Sequence, residues 1–380
     1  MAVRRKVVAG VAVAGLVAGA TASTAPAVAA ERPGDPVPAA IEALVRGGFP
    51  GAVAYSRDGE RVRHAAAGVA NLATGEPART GHRFRIASNT KAFVATVLLQ
   101  LVGEGELSLD DSVEKWLPGV VRGPGYHASE ITVRQLLGHT SGIHDPLDPD
   151  FFDPYLEDGD RGYVYPPDEV IRKSLVDPPS QQKPTYSNTN YLLVGKIIER
   201  VTGHSVSREL RERILWPLGL HDTSFPIVDP FLHGPHLHGY NRDGTVDLTV
   251  FSPSYDWTAG ALVSTVDDLA KFHRALFDGR LLAPEQQRAL RTVTAGDGNV
   301  AYGLGVERWE LPCQNGQSRT VWGNSGAGPG YYSLSFTSED GARQVVIALN
   351  SYDLAVEIAN RPGELPWPTP PAPALLDTFC

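Results

Sequence analysis

The sequence predicts an α/β (α+β) fold: an antiparallel sheet flanked by helices, with an inserted all-helical domain. Three observations predict it. Strand-like segments lie near the start (51–56 and 62–69) and return near the end (302–309, 319–322, 331–337 and 343–350). Residues 100–220 read as largely helical. The run 92–101, broken only by Thr96 and Gln100, has the length of a buried helix and is too short to span a bilayer. Strands at both ends with helices between them imply a discontinuous α/β domain, 31–100 with 255–380. It carries a helical insertion at 101–254, and the cleft between the two is the default pocket.

Residues 1–30 form the leader. Arg4, Arg5 and Lys6 precede a run of Val, Ala, Gly and Leu, and Ala27-Val28-Ala29 is a small-x-small cleavage signal. This reads as a secretory signal peptide, so a secreted, extracellular or cell-wall-associated protein without a stable membrane anchor is expected. The net charge is −9, and the leader contains three basic residues and no acidic one. That balance argues against nucleic acid as a partner. The length suits one large unit or two interlocked ones, and a monomer is expected.

Residues 37–45 read as a short helix with Ile41, Leu44 and Val45 inward, ended by Gly47-Gly48. The strands 51–56 and 62–69 are joined by a turn at Asp58-Gly59. Gly103 and Gly105 stop the helix that follows Ser88. A second helix starts near Ile131 with Thr132 as its cap and closes at His139-Thr140-Ser141-Gly142. Residues 144–168, rich in Asp, Pro, Phe and Tyr, read as a long loop roofing a pocket. Helices follow at 192–201, 206–215, 267–276 and 284–290. Residues 362–373 are proline-rich and read as an extended connector, with a last short helix at 373–379 carrying Cys380 back to the body.

Cys313 and Cys380 are the two cysteines. In an exported protein an even pair suggests one disulfide; two unpaired thiols are the alternative. No Cys-His spacing suggests zinc, and nothing implies a metal, nucleotide or flavin cofactor. His233, His236 and His238 sit in a Gly/Pro loop without matching carboxylate spacing and read as solvated.

Three stretches carry chemistry. Ser88 and Lys91 are three apart at the mouth of the apolar helix, so their heads share one face. The hydroxyl needs a base before it is a good nucleophile, and a lysine in a dry pocket can lose its charge and act as one. Tyr186-Ser187-Asn188 precedes another helix; the phenol can shuttle a proton, and the amide both donates and accepts. Asn324-Ser325-Gly326-Ala327 lies in a glycine-rich strand, where the glycines leave room for substrate backbone along the edge. Each stretch alone occurs by chance in many proteins.

Together and in this order they resemble the serine penicillin-recognising enzymes: Ser-x-x-Lys, Tyr-x-Asn, then a Lys/His-Thr/Ser-Gly strand. The chain is most similar to the secreted D-alanyl-D-alanine carboxypeptidase and class C β-lactamase group, over essentially the whole mature length. The segments 132–142, 186–191, 216–220, 259–265 and 302–305 also resemble that group. The resemblance implies a β-lactamase/transpeptidase-like fold and an acyl-enzyme on Ser88, with Lys91 assisting proton removal and Tyr186 relaying the proton. It implies that Asn188 holds the substrate amide and Lys91, and that the N–H groups of Ser88 and Ala327 form the oxyanion hole. Phe151 and Trp257 resemble the aromatic walls of the cleft, and Asn324, Ser325 and Gly326 the substrate-binding strand. A Cys313–Cys380 disulfide is implied as well.

Three positions depart from the pattern. Asn324 replaces the cation-capable Lys or His, and Ala327 lacks the hydroxyl common in the carboxypeptidases. Glu307 aligns with an Arg that meets the substrate carboxylate, with Arg308 beside it. Adjacent strand residues face opposite ways, so a one-residue slip would present Arg308 instead. The resemblance implies D-Ala-D-Ala carboxypeptidase/transpeptidase-type cleavage of peptidoglycan stem peptides, with acylation by β-lactams. The alternatives are the same chemistry on small acyl substrates, as in family esterases, D-amino-acid peptidases or amidases and class C β-lactamases, or a penicillin- or peptidoglycan-binding protein that does not turn over.

Overall fold

The structure is a computed structural model that describes residues 36–181, 185–297, 299–313, 316–354 and 378–380. The leader and the proline-rich connector expected from the sequence lie outside the described residues.

Eleven strands are described: β1 (Gly51–Asp58), β2 (Arg61–Asn71), β3 (Glu76–Pro77), β4 (Phe84–Arg85), β5 (Val263–Ser264), β6 (Ala295–Asp297), β7 (Val300–Tyr302), β8 (Glu307–Pro312), β9 (Ser318–Gly328), β10 (Tyr331–Ser338) and β11 (Arg343–Leu349). Nine form one antiparallel sheet in the order β3-β2-β1-β11-β10-β9-β8-β7-β6, while β4 and β5 pair separately. The two ends of the chain meet at the β1–β11 seam, where Val53 lies opposite Ala348.

Both faces of the sheet are covered, and the strands show it by period-2 alternation. Val53, Tyr55, Val346 and Ala348 pack into the large core that holds the Thr90–Gly103 helix. Ala52, Ala54, Val345, Ile347 and Leu349 face the other way, against Val37 and Ile41 of the Val37–Arg46 helix and against Phe379. At about 25 cal/mol per Å² of apolar surface removed from water, this double-sided burial drives the assembly. The Cys313–Cys380 disulfide, Cα–Cα 5.5 Å, ties the end of the chain beside β8 and keeps Phe379 in that second core.

The Thr90–Gly103 helix is buried nearly all round, which is why its sequence has no polar stripe. Thr132 caps the Val133–Leu137 helix through a capping box with Gln135. The Asn188–Thr202 helix ends at Gly203, whose φ of 70° only glycine adopts freely.

Several elements differ from expectation. The single strand expected at 302–309 is β7 and β8 separated by a turn, because Gly305 takes φ 90° and packs on Ala95 and the Tyr191 hydroxyl. Strand β9 runs six residues past Trp322, through the glycines, since Gly323 lies against the backbone of Ser335 and Gly326 against that of Ile86. The loop at 144–168 contains two short helical turns, Pro149–Phe152 and Asp153–Leu156, around an aromatic cluster. A helix at Pro167–Ser174 was not expected, although its proline start, acidic first turn and basic last turn are helix signals. The helix expected at 206–215 passes into a wider π-turn at Arg211–Leu215 before Pro217, which has no N–H to continue the regular ladder.

Candidate active site

The site begins where β4 turns into the buried helix. Ala87 takes a left-handed φ of 44°, and Ala87–Asn89 form one 3-10 turn before the helix starts at Thr90. The sharp turn leaves the Ser88 side chain half-buried at the helix mouth. Asn89 Nδ2 donates to Ser333 Oγ at 3.0 Å, and Ser333 Oγ donates to the Ile86 carbonyl at 3.2 Å, pinning the turn to β10. Gly326 completes the fit. A Cβ there would overlap the Ile86 carbonyl, so only glycine lets β9 lie against the turn.

Lys91 is fully buried and its Nζ donates three hydrogen bonds. They go to Ser88 Oγ at 3.0 Å, Asn188 Oδ1 at 2.6 Å and the Ala259 carbonyl at 2.9 Å. Burial lowers the Lys91 pKa to about 8; Asp256, Asp145 and Glu307, in that order, oppose the fall. The Tyr186 hydroxyl donates to Ser88 Oγ at 2.9 Å. Burial raises that phenol well above its usual range, so Tyr186 is a proton donor at neutral pH. The structure thus brings Ser88, Lys91, Tyr186 and Asn188 into one hydrogen-bonded cluster. A hydroxyl held between an amine able to lose its charge and a phenol can exchange its proton with either.

Residues outside the expected set hold this cluster. Asp145 Oδ2 accepts from the Asn188 N–H at 2.6 Å, capping that helix from 43 residues away in sequence, and burial raises the Asp145 pKa to about 6. His139, at a left-handed φ of 56°, stacks on the Tyr186 ring with centroids 4.2 Å apart. Its Nδ1 accepts from the Ser187 N–H at 3.1 Å, and its carbonyl accepts from the Thr185 N–H at 3.0 Å. One side chain and its own backbone therefore grip residues 185, 186 and 187. Burial, with Lys91 nearby, holds the His139 pKa well below the imidazole range, so the ring stays neutral and Nδ1 can accept. The pattern His139-Thr140-Ser141-Gly142 signalled a turn, but not that its first residue would reach the tyrosine.

The third motif is built differently from expectation. Asn324 Nδ2 donates to the Gly305 carbonyl at 3.0 Å, which turns that side chain to the β7–β8 turn and not to the Ser88 cluster. Glu307, 3% exposed, faces Ser325: its Oε1 accepts from the Ser325 N–H at 3.0 Å and from Ser325 Oγ at 2.8 Å. Its Oε2 accepts from Trp309 Nε1 at 2.8 Å. Arg308 pairs with Glu310, beside Thr320. The register is therefore the one that presents a carboxylate at Ser325. Phe151 is 2% exposed with its ring stacked on Tyr165 at 4.6 Å, within the aromatic cluster of the 144–168 segment. Trp257 is buried at an unusual φ of 29°, directly after Asp256. Ala327 of β9 pairs with Tyr332 of β10, past Gly323, where the register with β8 ends.

The three histidines of the 233–238 loop pair locally. His233 meets Asp229 at 2.6 Å, His236 the Gly234 carbonyl at 2.7 Å and His238 Asp247 at 3.0 Å. Among the described residues no group of His, Cys, Asp and Glu is arranged to hold a metal. Nor, among them, is any helix long and apolar enough to cross a membrane.

A serine held between a buried lysine and a tyrosine, at the edge of an antiparallel sheet with helices on both faces, defines a serine hydrolase of the β-lactamase fold. The chain belongs to the Beta-lactamase family, whose profile matches residues 8–362. It is 36% identical over 255 residues to penicillin-binding protein 4 of Amycolatopsis lactamdurans, a match spanning 64% of this chain and 63% of that one. Among solved structures it is similar to a D-stereospecific amidohydrolase from Streptomyces sp., at 37% identity and a TM-score of 0.75, covering 83% of this chain and 93% of that one. It is also similar to the D-amino acid amidase of Ochrobactrum anthropi SV3, at 27% identity and a TM-score of 0.75, covering 90% and 97%.

Proposed function

We propose that the protein hydrolyses amides or peptides of D-amino acids through an acyl-enzyme on Ser88, with a leaving group that carries no carboxylate. The observation that carries this reading is Glu307 at Ser325. A substrate ending in a free carboxylate at that edge of the cleft meets a buried acid where the penicillin-recognising pattern has a base. A neutral amide meets no such repulsion. The similarity to the D-stereospecific amidohydrolase and the D-amino acid amidase supports the same choice.

The chemistry follows from the cluster. Ser88 Oγ bonds to the carbonyl carbon as its proton passes to Lys91. The C–N bond then breaks as Tyr186 delivers a proton to the leaving nitrogen and takes in its place the proton held by Lys91, which returns the lysine to its neutral form. The N–H groups of Ser88 and Ala327 are the donors proposed for the oxyanion, and Asn188 the residue that orients the substrate amide. Water then adds to the ester, the C–O bond breaks, the D-amino acid leaves and Ser88 regains its proton.

A second reading is cleavage of D-Ala-D-Ala ends of peptidoglycan stems with acylation by β-lactams; the 36% identity to a penicillin-binding protein favours it. One experiment separates the two. The purified enzyme is given D-phenylalanine amide, an N-acyl-D-Ala-D-Ala peptide and benzylpenicillin in parallel, with Ser88→Ala as control. Turnover of the amide at a kcat/KM at least tenfold above that of the peptide supports the proposal. Preferred release of D-Ala, with a penicillin adduct on Ser88, sinks it.

A further inference from the structure

Three buried carboxylates oppose the loss of charge on Lys91, and in two of them both oxygens accept hydrogen bonds. Asp145 accepts from the N–H groups of Leu147 and Asn188, and Glu307 from Ser325 and Trp309. Asp256 is different. It is 5% exposed, and its Oδ1 has no hydrogen-bond partner among the described residues. Its Oδ2 occupies the space a side chain at Gly260 would need, so glycine there is what lets the carboxylate lie where it does. A buried, unpartnered carboxylate is costly, and burial raises its pKa while Lys91 alone lowers it. The residue that follows, Trp257, is held at a positive φ, a kind of backbone strain that clusters at ligand sites.

Asp256 lines a small, largely enclosed cavity with Arg85, Ala87, Tyr255, Gly260 and Gly328. Ala87 places that cavity against the turn that carries Ser88, and Gly328 places it at the end of β9. Its open volume of about 20 Å³ admits one group the size of a water or an ammonium, and nothing as large as an acylamino group. Arg85 also lines it; its Nη2 donates to the Pro230 carbonyl at 2.8 Å, while Nε and Nη1 have no hydrogen-bond partner among the described residues. Charge alone would therefore allow an ammonium at Asp256 or an anion at Arg85. Position decides between them. The Asp256 carbonyl accepts from the Ala259 N–H, and the Ala259 carbonyl accepts from Lys91 Nζ at 2.9 Å, so Asp256 belongs to the reacting side of the cavity. The amino nitrogen of an amino-acid substrate is two bonds from the carbonyl that Ser88 attacks.

We infer that Asp256 receives the free ammonium group of the substrate's D-amino-acid residue, on the acyl side of Ser88, and so restricts the enzyme to substrates with an unblocked amino end. This rests on the amide-hydrolase reading and adds to it the class of acyl group. Asp256 contributes a charge-assisted hydrogen bond to the ammonium, and the cavity refuses an N-acyl group.

The test compares D-phenylalanine p-nitroanilide with its N-acetyl derivative on the wild-type enzyme and on Asp256→Asn and Asp256→Ser. The wild type is expected to favour the free amine by ~100-fold in kcat/KM, and both variants to lower that ratio by ~10- to 100-fold, mainly through KM for the free amine. The ratio is internal to each protein, so a loss common to both substrates, from misfolding or a displaced Lys91, cancels. A wild-type preference that both variants keep within twofold overturns the inference and leaves the amide-hydrolase reading intact; the cavity then holds water. A wild type that cleaves neither anilide but releases D-Ala from N-acyl-D-Ala-D-Ala overturns that reading, and the inference with it.

Discussion

Glu307 Oε1 accepts both the N–H and the hydroxyl hydrogen of Ser325, at 3.0 and 2.8 Å. The pair spans the gap that opens between β8 and β9 beyond Gly323, the edge along which a leaving group would lie. At an effective dielectric near 20, two like charges about 7 Å apart repel by about 2 kcal/mol. Glu307→Gln removes the charge and keeps an acceptor for Ser325. Its kcat/KM for an N-acyl-D-Ala-D-Ala peptide, relative to the matching amide, should rise about tenfold or more. An unchanged ratio would mean that leaving groups do not pass this edge.

Lys91 sets the pH dependence. Its neutral form is the base, and burial brings its pKa to about 8. For acylation-limited substrates kcat/KM should therefore climb through the neutral range and level off above about 8. Removing a nearby negative charge favours the neutral amine, so Glu307→Gln moves the midpoint to lower pH. A pH profile of each enzyme on D-phenylalanine amide checks both signs; a midpoint that moves upward contradicts the assignment. Lys91→Met should lower kcat by about 10³-fold or more, as expected when a nucleophile loses its base.

Gly326 is a packing glycine. A Cβ there meets the Ile86 carbonyl, Ser333 Oγ and Asn89 Nδ2, all part of the turn that carries Ser88. Gly326→Ala should cost about 1–3 kcal/mol by overpacking. Displacing the nucleophile by a fraction of an ångström should also cut kcat by about 10²-fold. Thermal melting and steady-state kinetics on one preparation measure both; a variant with normal kcat would show that the turn can move without consequence.

The parts of this protein that were legible in the sequence are those written in local pattern. The apolar runs of β1 and β11, the apolar run after Lys91, the Thr132 cap and the Ser88/Lys91 spacing each depend on residues a few positions apart. The rest depends on contacts that no local pattern encodes. Strand β9 extends past the expected 319–322 because its glycines answer to Ser335 on one neighbour and Ile86 on another. Whether Glu307 or Arg308 faced the cleft turned on a one-residue register, fixed by the pairing of Glu307 with Gly323. Asp145 and Asp256 sit in stretches with no motif, and only the fold brings them to Lys91.

The grip of His139 on the Tyr186 segment yields the last prediction. Tyr186 must keep its hydroxyl at Ser88 while the loop that carries it leads into a helix, and the His139 ring, Nδ1 and carbonyl hold three consecutive residues in place. His139→Ala removes the stack and strands the buried N–H of Ser187 and amide of Asn190, each at about 1–3 kcal/mol. Because His139 touches no reacting atom, the loss should fall on kcat, by about 10- to 100-fold, with KM for D-phenylalanine amide nearly unchanged. His139→Asn tolerates the positive φ and offers Oδ1 as an acceptor, so it should recover most of the melting temperature but not the stack. If both variants fell equally in stability and in kcat, His139 would be a structural residue of the turn alone. If asparagine restores stability while kcat stays low, the ring itself positions Tyr186.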